Sequence, residues 1–125
     1  DLPGRMNHRM PPDGTIAEKF ALRHSVSFSE DGVFHKLFGA QEVMTNTLHG
    51  QGIKRAGDRV IIDGHAPDGT PEAIYIKDAP GFTLSVQWHP EYNAAHDPVS
   101  RPLFEAFGDA VRAFAAQRSG LRLSA

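Results

Sequence analysis

The sequence holds no cysteine. That excludes a disulfide framework, a thiolate metal site and a thiol nucleophile among these residues. Charge of neither sign dominates: 13 Lys and Arg stand against 15 Asp and Glu, a net charge of −2. Such a balance offers no basic footprint for nucleic acid. No run approaches the ~18 consecutive apolar residues of a membrane span. No basic start followed by an apolar core marks a signal peptide in these residues. What is present is 40% hydrophobic and 22% charged over 125 residues, the profile of one globular domain or part of one, with the cytoplasm as the expected compartment.

The start of the chain is short of periodicity. "DLPGRMNHRMPPDGT" carries three prolines and two glycines and reads as a loop. The chain opens on Asp1 and not on methionine. The expectation is that these 125 residues form the carboxy-terminal portion of a longer polypeptide.

Periodicity begins at "LRHSVSF", where Leu22, His24, Val26 and Phe28 alternate with Arg23, Ser25 and Ser27. Period two predicts a half-buried strand. "VFHKLFG" predicts a short helix closed by Gly39. "QEVMTN" predicts a strand, and "TLHGQG" a loop. "RVIIDGHA", "EAIYIK" and "FTLSVQW" then predict a meander, with turns at Pro67-Asp68-Gly69 and Pro80-Gly81. Ile74 and Ile76 are expected on one buried face of the middle strand. A closing helix is expected from a Ser100 cap with Pro102 in its first turn. Leu103, Phe107, Val111 and Phe114 form its apolar stripe, and Gly120 is its expected stop. The last five residues, "LRLSA", are expected to lie beyond it.

Two places carry candidate chemistry. In "SVQWHPEY" a proline follows His89 and forces it into extended geometry. Residues two apart in an extended segment project to one side, so His89 and Glu91 can act together. A carboxylate there can hold the imidazole Nδ1–H and leave Nε2 free to accept a proton from a nucleophile. An ordinary strand end explains the triplet as well. The second place is "TNTLHGQGI", where glycines flank Gln51 and let backbone approach a ligand; a plain glycine-rich turn is the rival reading. It is not a phosphate loop, because no Lys-Ser/Thr follows. The remaining histidines show no helical metal-ligand spacing, and no metal site is expected. His24 and His65 are expected to be hydrogen-bonded structural residues, and Asp68 and Gly69 to serve turn geometry.

Taken in order, "TNTLHGQGI", "HAPDGTPEAI", "FTLSVQWHPEY" and "SRPLFEAF" resemble the class I glutamine amidotransferase superfamily. They are most similar to its gamma-glutamyl-gamma-aminobutyrate hydrolase-like branch. The resemblance implies an α/β, flavodoxin-like three-layer sandwich built on a mostly parallel sheet. This chain would supply the carboxy-terminal strands, the meander and the last helix of that single domain. It further implies hydrolysis of γ-glutamyl amides by a Cys–His–Glu triad. His89 and Glu91 match the catalytic histidine and glutamate; Thr47, Leu48, His49 and Gln51 match the loop lining the γ-glutamyl pocket. Thr47 replaces the usual serine, and Gly50 a second histidine. No cofactor is implied. The implied partners are a small γ-glutamyl substrate and a polypeptide stretch that carries the cysteine, with self-association left open. Without that stretch the chain is expected to be inactive. Two rivals remain: a glutaminase unit that feeds ammonia to a synthase, and a cysteine-free relative that binds without catalysis.

Overall fold

The structure is a computed structural model describing residues 3–124. Five strands form one sheet in the order β2-β1-β3-β4-β5, and every pairing is antiparallel. In chain order they are β1 (His24–Phe28), β2 (Glu42–Thr45), β3 (Val60–His65), β4 (Pro71–Ile76) and β5 (Ser85–Val86). Three helices accompany them: α1 (Ile16–Lys19), α2 (Val33–Phe38) and α3 (Ser100–Ser124). The expected meander is the run β3-β4-β5, and the expected closing helix is α3.

Local sequence explains most of these boundaries. Thr15 caps α1 by accepting the Glu18 N–H at 3.2 Å, and its hydroxyl donates to the Glu18 carboxylate at 3.2 Å. This short helix was not legible in the loop-like start. Gly39 ends α2 at φ +65, a left-handed turn that costs glycine little. At the other end of α2, buried Asp63 of β3 accepts the Phe34 N–H at 3.0 Å, so a distant strand supplies the cap.

The core joins the sheet to the helices through Val26, Phe28, Phe34, Val43, Ala73, Trp88 and Leu103. Val26 and Phe28 lie on the predicted face of β1. In β4 the core-facing side is the other one: Ala73 is buried in the core and half-buried Tyr75 packs against it, whereas Ile74 and Ile76, also half-buried, lie on the Glu72 side. The residue that decides this is Glu72, which is fully buried on the side away from Ala73 and is held there by polar partners. Gly64 sits where β3 slips register against β4. A Cβ there would stand 2.9 Å from the Phe28 ring and 3.0 Å from the Ala73 Cβ, so only glycine fits.

Three expectations need correction. The strand predicted over 82–88 shrinks to Ser85–Val86, because the Thr83 hydroxyl takes the Ile76 N–H at 3.0 Å and interrupts the ladder. The cap of α3 is Asp97, not Ser100: its carboxylate accepts the Ser100 N–H at 2.9 Å and the Ser100 hydroxyl as well. Pro98 then takes the first-turn position. Finally, Gly120 does not stop α3, which runs on to Ser124; one glycine costs an exposed helix only about 1 kcal/mol. Of the tail, Ala125 lies outside the described residues. The apolar stripe of α3 is also mostly uncovered. Leu103 is buried, but Phe107, Val111 and Phe114 are 51%, 49% and 60% exposed.

Candidate functional site

β5 leads through Trp88, which is buried in the core, to His89. The proline after it keeps the chain extended. His89 Nδ1 and Glu91 Oε1 lie 2.8 Å apart. The carboxylate accepts, so Nδ1 carries the hydrogen and Nε2 is left as the basic nitrogen. Partial burial alone would push the Glu91 carboxyl up. The hydrogen bond from His89, a backbone hydrogen bond and the charge of the nearby imidazole together outweigh it and hold the carboxyl below its ordinary value. Asn46, just past β2, grips the backbone of His89 by its N–H and its C=O. The Phe20 ring meets His89 edge-on at 5.9 Å and stacks on Tyr92 at 4.6 Å. These side chains wall a cavity of about 410 Å³. The imidazole is thus fixed in tautomer and place, and half open to solvent, which suits a proton acceptor and donor.

A second cluster lies past Thr47. Thr47 is buried, and its hydroxyl donates to the His8 carbonyl at 3.0 Å. The His49 N–H bonds to the same carbonyl, so the amino-terminal loop is pinned along the 47–49 segment. The side chain of His8 stands between two carboxylates, Nε2 at 3.0 Å from Asp68 Oδ2 and Nδ1 at 3.3 Å from Glu72 Oε1. His49 Nε2 lies 3.2 Å from that same Glu72 oxygen, and His24 Nε2 lies 3.8 Å from it. The hydrogen bond to Glu72 raises the affinity of His49 for a proton against the opposing effect of burial. Burial pushes the Asp68 carboxyl up, yet hydrogen bonds from His8, Thr70 and Met6 outweigh it and hold it well below the usual carboxylate range. Beside the cluster opens a cavity of about 300 Å³ walled by Arg5, His8, Arg9, His49, Gln51 and Lys54 among others.

The profile of the peptidase C26 family matches residues 1–91. The chain belongs to that family. The gamma-glutamyl-gamma-aminobutyrate hydrolase PuuD of Escherichia coli strain K12 is 35% identical over 122 residues, 97% of this chain and 48% of that protein. The corresponding hydrolase of Shigella flexneri is 36% identical over 108 residues, 86% of this chain and 42% of its own length. A glutamine amidotransferase-like protein of Lactococcus lactis is 31% identical over 86 residues, 69% of this chain and 35% of its own. The chain spans about half the length of the hydrolases it matches.

Membership of the C26 family implies the flavodoxin-like α/β fold that the motifs pointed to, within the glutamine amidotransferase-like branch. The chain brings Glu91 against His89 at the wall of one cavity, and places His49 and Gln51 on another. Asn46 and Thr47, adjacent in sequence, join the two. Leu48 is half-buried between them. His24 is buried and, as expected, hydrogen-bonded, its Nδ1 facing the Ser25 carbonyl at 3.0 Å, while its Nε2 has no hydrogen-bond partner; His65 is exposed. Asp68 shapes its turn by accepting the Thr70 N–H, and also anchors the amino-terminal loop through Met6 and His8. Sequence reasoning missed His8 and Glu72. His8 sits in a stretch without pattern, and Glu72 was read only as the start of a strand. No spacing rule links residues 8, 24, 49 and 72. Among the described residues, no helix is long and apolar enough to cross a membrane.

Proposed function

We propose that this chain supplies the histidine and the carboxylate of a Cys–His–Glu site that hydrolyses γ-glutamyl amides. The single observation that carries the reading is the 2.8 Å contact between His89 Nδ1 and Glu91 Oε1 at the wall of a cavity, in a chain of this family. The sequence holds no cysteine, so the sulfur must come from another stretch of polypeptide.

The chemistry follows from the tautomer. His89 Nε2 takes the thiol proton, and the thiolate attacks the γ-carbonyl carbon. The C–N bond breaks as His89 returns that proton to the leaving amine, and a glutamyl thioester remains. Water then loses a proton to Nε2 and attacks the thioester. Glutamate leaves, and the proton returns to sulfur. Through both steps Glu91 stabilises the imidazolium without taking its proton. The Thr47–Gln51 loop receives the glutamyl head: His49 and Gln51 face the neighbouring cavity, while buried Thr47 and Leu48 hold the loop in place.

The test is steady-state hydrolysis of a chromogenic γ-glutamyl anilide by the native protein and its His89→Ala variant. Turnover should fall by roughly 10²- to 10⁴-fold, the usual contribution of general acid–base catalysis. Near-normal turnover in a folded variant refutes the proposal.

A further inference from the structure

Three imidazoles surround the Glu72 carboxylate: His8, His24 and His49. The ring centroids of His8 and His24 are 5.0 Å apart, and those of His8 and His49 are 4.9 Å apart. Each ring has one nitrogen committed outward. His8 Nε2 faces the Asp68 carboxylate at 3.0 Å. His24 Nδ1 faces the Ser25 carbonyl at 3.0 Å, and His49 Nδ1 faces the Gln51 carbonyl at 2.7 Å. Carbonyls and ionised carboxylates only accept, so each outward nitrogen is the one that carries N–H. In a neutral ring the inward nitrogen then presents a lone pair.

Those inward atoms are His8 Nδ1, His24 Nε2 and His49 Nε2, and they converge on an acceptor, Glu72. Thr47 Oγ1 lies 3.2 Å from His8 Nδ1, but its single hydrogen is drawn to the His8 carbonyl at 3.0 Å. His24 Nε2 and Glu72 Oε2 are both fully buried without a hydrogen-bond partner. An unpaired buried polar atom costs roughly 1–3 kcal/mol, so two beside each other ask for a shared partner.

We infer that His8 Nδ1, His49 Nε2 and the Glu72 carboxylate form a binding site for a divalent transition-metal ion of the zinc class, with His24 Nε2 beside it at 3.8 Å from Glu72 Oε1. The spacing fits. Ligands about 2.0–2.1 Å from a tetrahedral zinc ion stand ~3.3 Å from one another. The distances from Glu72 Oε1 to His8 Nδ1 and His49 Nε2 are 3.3 and 3.2 Å. The ligand atoms of His8, His49 and Glu72 all lie within 4.8 Å of one another. The outward hydrogen bonds complete the match, since metal-bound histidines donate their other N–H to a carboxylate or a carbonyl.

Three protein ligands leave a further position on the ion, and His8 and His49 line the neighbouring cavity from which water can reach it. The ion would tie the amino-terminal loop, through His8, and the 47–51 loop, through His49, onto β4 at Glu72. Gly50 and Gln51 would still face the neighbouring cavity. Any proton shared among the inward nitrogens leaves when the ion binds.

The test is metal binding itself, a readout separate from hydrolysis. Native protein purified without chelating resin, exposed to Zn²⁺ and then dialysed should retain about one zinc per chain by elemental analysis. Cobalt(II) titration of chelator-treated protein should produce the strong visible absorption of a tetrahedral site, and Mg²⁺ should not compete. Glu72→Gln and His8→Ala should each weaken binding by more than about tenfold, the least that disturbing even the outer partners of a metal site produces. Circular dichroism reports whether the variants fold, and if they do not, the cobalt spectrum of the unaltered protein decides. Absence of zinc retention and of tetrahedral absorption overturns the inference. Binding that survives both substitutions in folded variants overturns it too, by placing the ion elsewhere.

Discussion

Asn46 holds His89 by both polar groups of its backbone: Asn46 Oδ1 accepts the His89 N–H at 2.8 Å, and Asn46 Nδ2 donates to the His89 carbonyl at 2.9 Å. The pair joins the end of β2 to the residue after Trp88, 43 positions away. It does for His89 what a longer β5 would otherwise have done, since regular pairing ends at Val86. Asn46→Ala removes both bonds and leaves two backbone groups to find water. We expect a loss of roughly 1–3 kcal/mol in stability by denaturant unfolding. Because the imidazole then drifts, kcat should fall by a larger factor than KM rises.

Glu91 orients His89 without touching the reacting bond. Glu91→Gln keeps the shape and removes the charge, so turnover should drop, but by less than in His89→Ala. Kinetics on both variants and on the double variant checks this. If the two residues act as a unit, the double variant is no worse than His89→Ala alone.

The lowered carboxyl of Glu91 also sets a pH dependence. For a carboxyl depressed in the folded state, the stabilisation is present above its ordinary value of 4.5 and is lost as pH falls through the lowered one. Carbon-detected NMR titration should place the Glu91 midpoint below 4.5, and His89→Ala should move it upward. An unchanged midpoint in that variant would show that the imidazole is not the cause. The effect on global stability should be small, because the Glu91 side chain is 60% exposed.

Gly64 allows β1 and β4 to approach at the bulge of β3. Gly64→Ala forces a methyl group to within 3.0 Å of Phe28 and Ala73, two buried core residues. Overpacking of this kind costs about 1–3 kcal/mol. Thermal unfolding should register the loss, with little change at His89.

The uncovered stripe of α3 predicts self-association of these 125 residues when they are prepared alone. Phe104, Phe107, Val111 and Phe114 are all substantially exposed on one helix, more contiguous apolar surface than a stable monomer usually shows. Replacing Phe107 and Phe114 by lysine should shift the elution volume toward the 13.7 kDa monomer. A single monomeric peak from the unaltered chain would count against this reading of the stripe.

Much was legible in the residue order because it rests on short-range rules. Alternation in "HSVSF" marked β1, Gly39 marked the end of α2, and the proline after His89 set the extended geometry that pairs His89 with Glu91. Each depends on neighbours within a few positions. What failed depends on distant partners. Thr83 cut the last strand short by reaching across to Ile76, and Asp63 capped a helix that begins 30 positions before it. The face of β4 was misread because a glutamate, not an isoleucine, is its most buried residue on that side.

By itself the sequence determined the family, the order of the elements and the local pairing of His89 with Glu91, since backbone sterics and side-chain period act along the chain. Only tertiary structure decided that His8, His24 and His49 meet at Glu72, and that most of the apolar stripe of α3 stays about half exposed. Convergence of groups far apart in sequence is set by how strands and loops close on one another, and no spacing rule records it.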